Sequence, residues 1–260
     1  MRKALVTLSA ILMFAVFGSA QTVDEIIAKN IAAKGGMAKL KAVQTARFTG
    51  TADFGGVQAD IVRISKRQSK VRLNITVQGM TMVQAYDGQN GWQVVPFTGK
   101  KDPEPMAADD LKIIAQDADM DGPLMDYKQK GHKVELVGKE KMEGTDTWHL
   151  KITMKGGDVR DIYLDADSFL EIKMTGKSTR RGVETESETT FGDYKEEAGI
   201  MMPHSMESKA QGAPGTQKIT ITKVEMNTTE DDAQFKMPAI VPPPATETKK
   251  PESGSTPPKQ

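Results

Sequence analysis

Asp117, Asp119 and Asp121 recur at every second position and run into Gly122, copying the first half of a calcium-binding EF-hand loop. Oxygen ligands at that spacing suit a hard cation. A working loop also needs a bidentate glutamate at its twelfth position; here that residue is Lys128, and Pro123 follows the glycine. The motif therefore predicts no calcium site. His132, His149 and His204 are far apart and in different elements, without metal-ligand spacing. His149 falls on the polar side of a predicted strand, where solvent exposure is expected. Asp109-Asp110 reads as a helix start, and Glu184, Glu186 and Glu188 as a solvated strand face. There is no glycine-rich phosphate loop, no Gly-x-Ser-x-Gly elbow and no cysteine nucleophile. Asn227-Thr228-Thr229 is a glycosylation sequon with meaning only in a eukaryotic secretory route. The expectation is a protein that binds rather than catalyses, with no catalytic residues, no metal and no cofactor.

The elements that would carry binding residues are mostly strands. Trp148, Leu150, Ile152 and Met154 alternate with polar residues, and Gly156-Gly157 turns the chain into a partner bearing Ile162 and Leu164. A third strand follows, with Leu170, Ile172 and Met174 on one side and Glu171 and Lys173 on the other. Upstream, Thr45–Phe54, Val57–Ser65, Lys70–Val77, Met80–Tyr86 and Trp92–Phe97 read as strands, with a bulge expected near Ile61-Val62. Downstream, Lys133–Gly138, Val183–Phe191, Ile200–Ser208 and Gln217–Met226 continue the sheet. Helices are few. Thr22 and Glu25 form a capping box for a helix closed by Gly35-Gly36, and Met37–Val43 adds a short turn. Met106–Met120 reads as a second helix carrying Leu111 and Ile114, with a further helical turn at Leu124–Lys128.

The ends of the chain differ from its middle. Residues 1–20 have a basic start, the apolar run Ala4–Phe17 and small residues at Gly18-Ser19-Ala20, the pattern of a signal peptide cleaved before Gln21. With no cysteine the exported protein has no disulfides and no usual site for lipidation, so a soluble periplasmic product is expected. Basic and acidic residues balance at 35 each, and losing Arg2 and Lys3 tips that slightly acidic, which argues against a nucleic-acid partner. Residues 239–260 are rich in Pro and Lys and read as a disordered tail, leaving 21–238 as one domain.

Roughly ten strands read by alternation present an apolar face, yet only two short helices are available to cover it. A closed barrel or a sandwich would solve this internally. The chain has 16 Met against 8 Phe and 2 Trp, and methionine adapts to irregular apolar partners. That composition fits a ligand cavity under a helical lid and equally a loosely packed core.

Several segments resemble the outer-membrane lipoprotein-sorting protein family of LolA-like carriers. They are Tyr86-Asp87-Gly88 with Gly91-Trp92 and Pro96, then Ile162-Tyr163-Leu164-Asp165, then Phe191-Gly192-Asp193-Tyr194 with Gly199-Ile200 and Pro203, and finally Phe235-Lys236-Met237-Pro238. Gly122-Pro123-Leu124, Asp126-Tyr127 and the stretch from Gly131 to Glu140 are also similar to sequences of this group. The resemblance implies a mainly β (α+β) fold, an incomplete antiparallel β-barrel covered by short helices. Its apolar hollow would receive lipoprotein acyl chains or other lipids, loaded by an inner-membrane lipoprotein-release transporter and passed to an outer-membrane acceptor. It also implies a functionally important arginine inside the barrel; Arg47, Arg63 and Arg72 are candidates by location, and no motif assigns it. The candidate cavity residues are Phe48, Leu73, Ile75, Met82, Trp92, Trp148, Leu150, Ile152, Leu170 and Ile172, with Leu111 and Ile114 on the lid. Any of them also serves as ordinary core. The other class kept open is a cell-envelope adaptor or structural module without lipid cargo.

Overall fold

The computed structural model describes residues 21–180, 182–212 and 215–239. The expected signal peptide and nearly all of the expected tail lie outside the described residues. Helix α1 (Val23–Ala33) starts at the capping box: the Glu25 amide donates to Thr22 Oγ1 (3.3 Å) and the Thr22 amide donates to Glu25 Oε2 (2.8 Å). It stops at Gly35 and Gly36, whose φ of 115° and 88° suit glycine alone. A Cβ on Gly35 would collide with the Gly199 carbonyl, so the turn also lets α1 approach the sheet. Helix α2 (Met37–Ala42) follows directly.

The strands are β1 (Thr45–Phe54), β2 (Gln58–Lys66), β3 (Lys70–Val77), β4 (Met80–Tyr86), β5 (Gly91–Val94), β6 (Glu104–Pro105), β7 (Lys133–Met142), β8 (Thr145–Thr153), β9 (Val159–Asp165), β10 (Glu171–Arg180), β11 (Val183–Glu197), β12 (Ile200–Ala210) and β13 (Gln217–Met226). They form one antiparallel sheet in the order β6-β5-β4-β3-β2-β1-β13-β12-β11-β10-β9-β8-β7. Sequence neighbours pair throughout, and the one long-range pairing, β1 with β13, joins two meanders. The terminal strands β6 and β7 do not pair with each other, so the barrel is incomplete. Helix α3 (Ala108–Asp117) lies across the opening and touches β4 and β5 on one side and β10 on the other. Among the described residues no helix is long and apolar enough to cross a membrane.

The structure differs from the sequence expectations in several places. Ile61 and Val62 pair without a break with both β1 and β3, so no bulge lies there. The irregularity is across the sheet at Thr49/Gly50, facing β13, where Gly50 backs onto the Thr220 carbonyl. A second break separates Glu171 from Lys173, leaving Ile172 as the extra residue. Met174 opposite Ile162 and Lys173 opposite Tyr163 keep their expected faces, but Glu171 comes to stand opposite Leu164, on the side expected for Ile172. β5 ends at Val94, before a 3-10 turn at Pro96–Thr98, because proline has no amide to donate to a ladder. α3 is shorter than its pattern, and residues 120–131 are successive turns rather than helix. β11 runs on to Glu197.

Three helices cover parts of the concave face, α2 through Leu40, which packs beside Ala46, Ile200 and Phe48. Ile26 and Ile27 of α1 pack with Leu124, Val134, Leu150, Ile152, Ile162 and Leu164, with Trp148 and Phe169 at the margin. Fully burying each such side chain contributes about 1.5–3 kcal/mol, so this is the firmest part of the fold. Ile114 of α3, with Leu111 beside it, packs on Val71, Met106 and Ala118.

Candidate functional site

The remaining concave face has no helix over it. Pairing aligns Met82, Ile75, Ile61, Gly50 and Ile221 in one row across five strands. The next row is Ala59, Ala52, Ile219 and Met206. In this cluster Ala52, Ala59, Ile61 and Ile221 are buried, while Phe48, Phe54, Ile75, Val77, Met206, Ile219 and Val224 are only partly so. All come from strands. Small residues in the middle with larger ones at the flanks give the surface depth, producing an apolar trough along the inside of β1–β4, β12 and β13.

Beside the trough, under α3, lie three adjoining cavities of about 210, 180 and 170 Å³ that share Asp117. Leu73, Val71, Met106, Ile113 and Ile114 line one of them with Arg63. Arg160, Gln116 and Met174 border the other two. Polar contacts add to the apolar seat of α3 on Val71 and Met106. Arg63 donates to the Asp117 carbonyl (2.7 Å), Lys112 and Gln116 reach Asp158 (2.7 Å each), and Arg160 donates to Gln116 Oε1 (2.8 Å). Burial alone would raise the Asp158 pKa, but the hydrogen bonds from Lys112 and Gln116 outweigh it and hold the carboxyl below its ordinary range. Ile114 is the one buried residue of α3.

The candidate residues fall into distinct places. Phe48, Leu73, Ile75 and Met82 lie on the uncovered concave face or its border with α3. Trp148, Leu150 and Ile152 pack in the cluster under α1, where Leu150 and Ile152 are sealed from solvent. Leu170 and Ile172 are half-buried at the start of β10, Ile172 on the bulge. Trp92 is on the opposite, convex face. It pairs beside Ala85 and Arg72, its indole nitrogen donates to the Phe235 carbonyl (2.8 Å), and the C-terminal segment around a 3-10 turn at Asp232–Phe235 buries it. Period-two alternation shows that two faces differ and not that a later segment will cover the outer one. Phe54, Val77, Met206 and Ile219 complete the trough but were not singled out. Phe54 and Val77 stood in the alternation of clean strands, whereas Met206 follows no alternation.

The arginine candidates also separate. Arg63 faces the cavity beneath α3. Arg47 and Arg72 lie on the convex face, Arg47 bonded to Glu230 (2.9 and 3.0 Å) and Arg72 to the Gln234 carbonyl (2.7 Å). Arg160, which the sequence reading passed over, points inward, in register with Ile152 and Gly176.

Among the described residues no group of acidic or histidine side chains stands at metal-ligating distances. Asp117 pairs with Arg63, Asp119 with Lys130, and Asp121 with Lys41 and Arg67. His149 is not solvated as its polar-face position suggested. It is wedged between Glu140 and Asp161 (2.8 Å each) and stacked on Tyr163 at 4.5 Å. A charged neighbour on each side makes the outer face of β8 a polar packing surface.

An open antiparallel barrel with a half-covered apolar interior is a fold with solved relatives. No protein-family model matches the chain, and no curated protein matches its sequence. Among solved structures, a DUF1329 family protein from Desulfovibrio piger ATCC 29098 superposes with a TM-score of 0.58 at 13% identity, over 84% of this chain and 98% of that one. A LolA superfamily protein from Nitrosomonas europaea gives 0.56 at 13% identity, over 84% and 98%. An outer membrane lipoprotein-sorting protein domain from Vibrio parahaemolyticus gives 0.54 at 12% identity, over 82% and 97%. The chain has the LolA-like fold.

Proposed function

We propose that this protein is a non-enzymatic carrier or binder of acyl lipids, lipoprotein acyl chains included, working in the periplasm of a cell envelope. The observation that supports it is the trough of Phe54, Ile75, Val77, Met206 and Ile219, bordered by Phe48 beside α2, apolar, half-exposed and without a helix above it. An acyl chain lying there gains what it loses in water. At about 0.8 kcal/mol per methylene, a chain of about fourteen carbons costs on the order of 10 kcal/mol to carry unprotected. The cavities under α3 extend the space, and α3 serves as the lid. The fold shared with the outer membrane lipoprotein-sorting protein domain supports a lipoprotein as the cargo. An inner-membrane transporter that loads the protein and an outer-membrane acceptor that unloads it complete this reading, with residues 1–20 as the export signal.

The test is solvent extraction of the protein purified from its native compartment, followed by mass spectrometry, with a soluble fluorescent fatty acid as a second probe. Stoichiometric acyl lipid and saturable probe binding are expected. A clean extract and no probe binding would favour the envelope adaptor.

A further inference from the structure

Three exposed apolar side chains stand at neighbouring chain reversals along one rim of the barrel. Val57 lies in the turn from β1 to β2, Met80 opens β4 after the turn at Gln78-Gly79, and Phe97 sits in the 3-10 turn after β5; they are 49, 44 and 45% exposed. Antiparallel pairing puts all three at the same end: β1 finishes where β2 starts, β3 finishes where β4 starts, and β5 climbs beside β4 to Val94, opposite Val83. Five adjacent strands at about 4.8 Å spacing make that rim roughly 20 Å long.

Single exposed apolar residues are ordinary. The charge pattern sets this rim apart. Val77–Thr81 and Val95–Gly99 contain no charged residue, in a chain that is 27% charged, and in the first turn the one charge, Asp53, is tied down by the Gly56 amide and Gln58 (2.6 and 2.7 Å). The opposite rim of the same strands carries Lys66, Arg67 and Lys70 at one turn and Asp87 at the next. Behind the uncharged tips come Lys100, which pairs with Glu104 (2.8 Å), and Lys101. The rim is also continuous with the trough: Met80 pairs with Val77, and the next inward pair is Met82 with Ile75. An apolar path therefore leads from the tips into the barrel.

We infer that this rim seats on the surface of a lipid bilayer, with Val57, Met80 and Phe97 in the interface and Lys101 toward the lipid phosphates. Apolar tips followed by basic residues match the chemistry of that boundary. Resting on the acyl-binding reading of the trough, this gives cargo a route from membrane to barrel that does not cross water.

The experiment is flotation of residues 21–260 with vesicles of phosphatidylethanolamine and phosphatidylglycerol, comparing the unmodified protein with a Val57→Asp, Met80→Asp, Phe97→Asp variant. Binding of a soluble fluorescent fatty acid and molar mass by light scattering are measured on both. All three positions are exposed, and circular dichroism checks that the fold is kept. The unmodified protein is expected to float, and the variant to lose on the order of tenfold or more in the vesicle-bound fraction while still binding the probe. A Phe97→Trp variant is expected to shift its emission to shorter wavelength on vesicles. Failure of the unmodified protein to float, or equal flotation of the variant, would overturn the proposal. So would a dimer of the unmodified protein that the variant breaks without any vesicle binding, since the rim would then be a self-association surface. Flotation without probe binding would refute the acyl trough and uphold the rim.

Discussion

Replacing Ile75 by glutamate separates an acyl trough from an ordinary core more cleanly than any other single change. Ile75 stands at the middle of the uncovered face, between Ile61 and Met82 in register, and is only partly buried. If an acyl chain crosses that row, roughly three of its methylenes rest on the Ile75 side chain, worth about 2.4 kcal/mol at about 0.8 kcal/mol each. Losing that contact weakens binding roughly fiftyfold, since about 1.4 kcal/mol is tenfold in Kd, and the carboxylate adds a desolvation penalty to the same side. The fold itself loses less, because the glutamate can reach solvent through the open face; a cost within about 3 kcal/mol is expected. The assay is titration with a fluorescent fatty acid, paired with urea unfolding and an Ile75→Leu control that keeps the volume. Ile75→Glu should lose at least tenfold in affinity while Ile75→Leu stays within about threefold of the parent. A folded Ile75→Glu protein that binds the probe as tightly as the parent would refute the trough.

Leu150, sealed under α1, is a structural residue here: Leu150→Ala should cost about 2–5 kcal/mol in urea unfolding and leave probe affinity unchanged. Burial would raise the Glu230 pKa, but hydrogen bonds from Gln234, Arg47 and Thr228 outweigh it and lower it. A lowered folded-state pKa gives stability that is present above the unfolded-state value of about 4.3 and lost as pH falls through the folded-state one. Urea unfolding from pH 7 to pH 3 should therefore show a falling limb that Glu230→Gln flattens. Hydrogen exchange should be faster in α3 than in α1, because α3 buries only Ile114 while α1 buries Ile26, Ile27 and Asn30; equal protection would contradict the proposed lid.

Much of the fold was legible where local chemistry decides it. The capping box at Thr22 and Glu25, the glycine stop at Gly35-Gly36 and the clean alternation of Lys70–Val77 each fix an element by short-range rules, and all three formed as read. The site was less legible because its shape depends on register. One extra residue at Ile172 turned Glu171 inward, and one irregularity at Thr49/Gly50 brought Val224 onto the trough face. Trp92 read as an inner residue because nothing in its own strand announces that Phe235, far along the chain, will fold back over the convex side. Arg160 was overlooked for the same reason: only its pairing with Ile152 and Gly176 shows that it faces inward.

The most direct measurement is a methyl NMR titration of the protein with a soluble fatty acid. The signals of Ile75, Val77, Met82, Met206 and Ile219 should move together and saturate, while Leu150 and Ile152 beneath α1 stay nearly still. Shifts confined to the convex face, or none at all at saturating ligand, would show that no guest chain lies in the barrel.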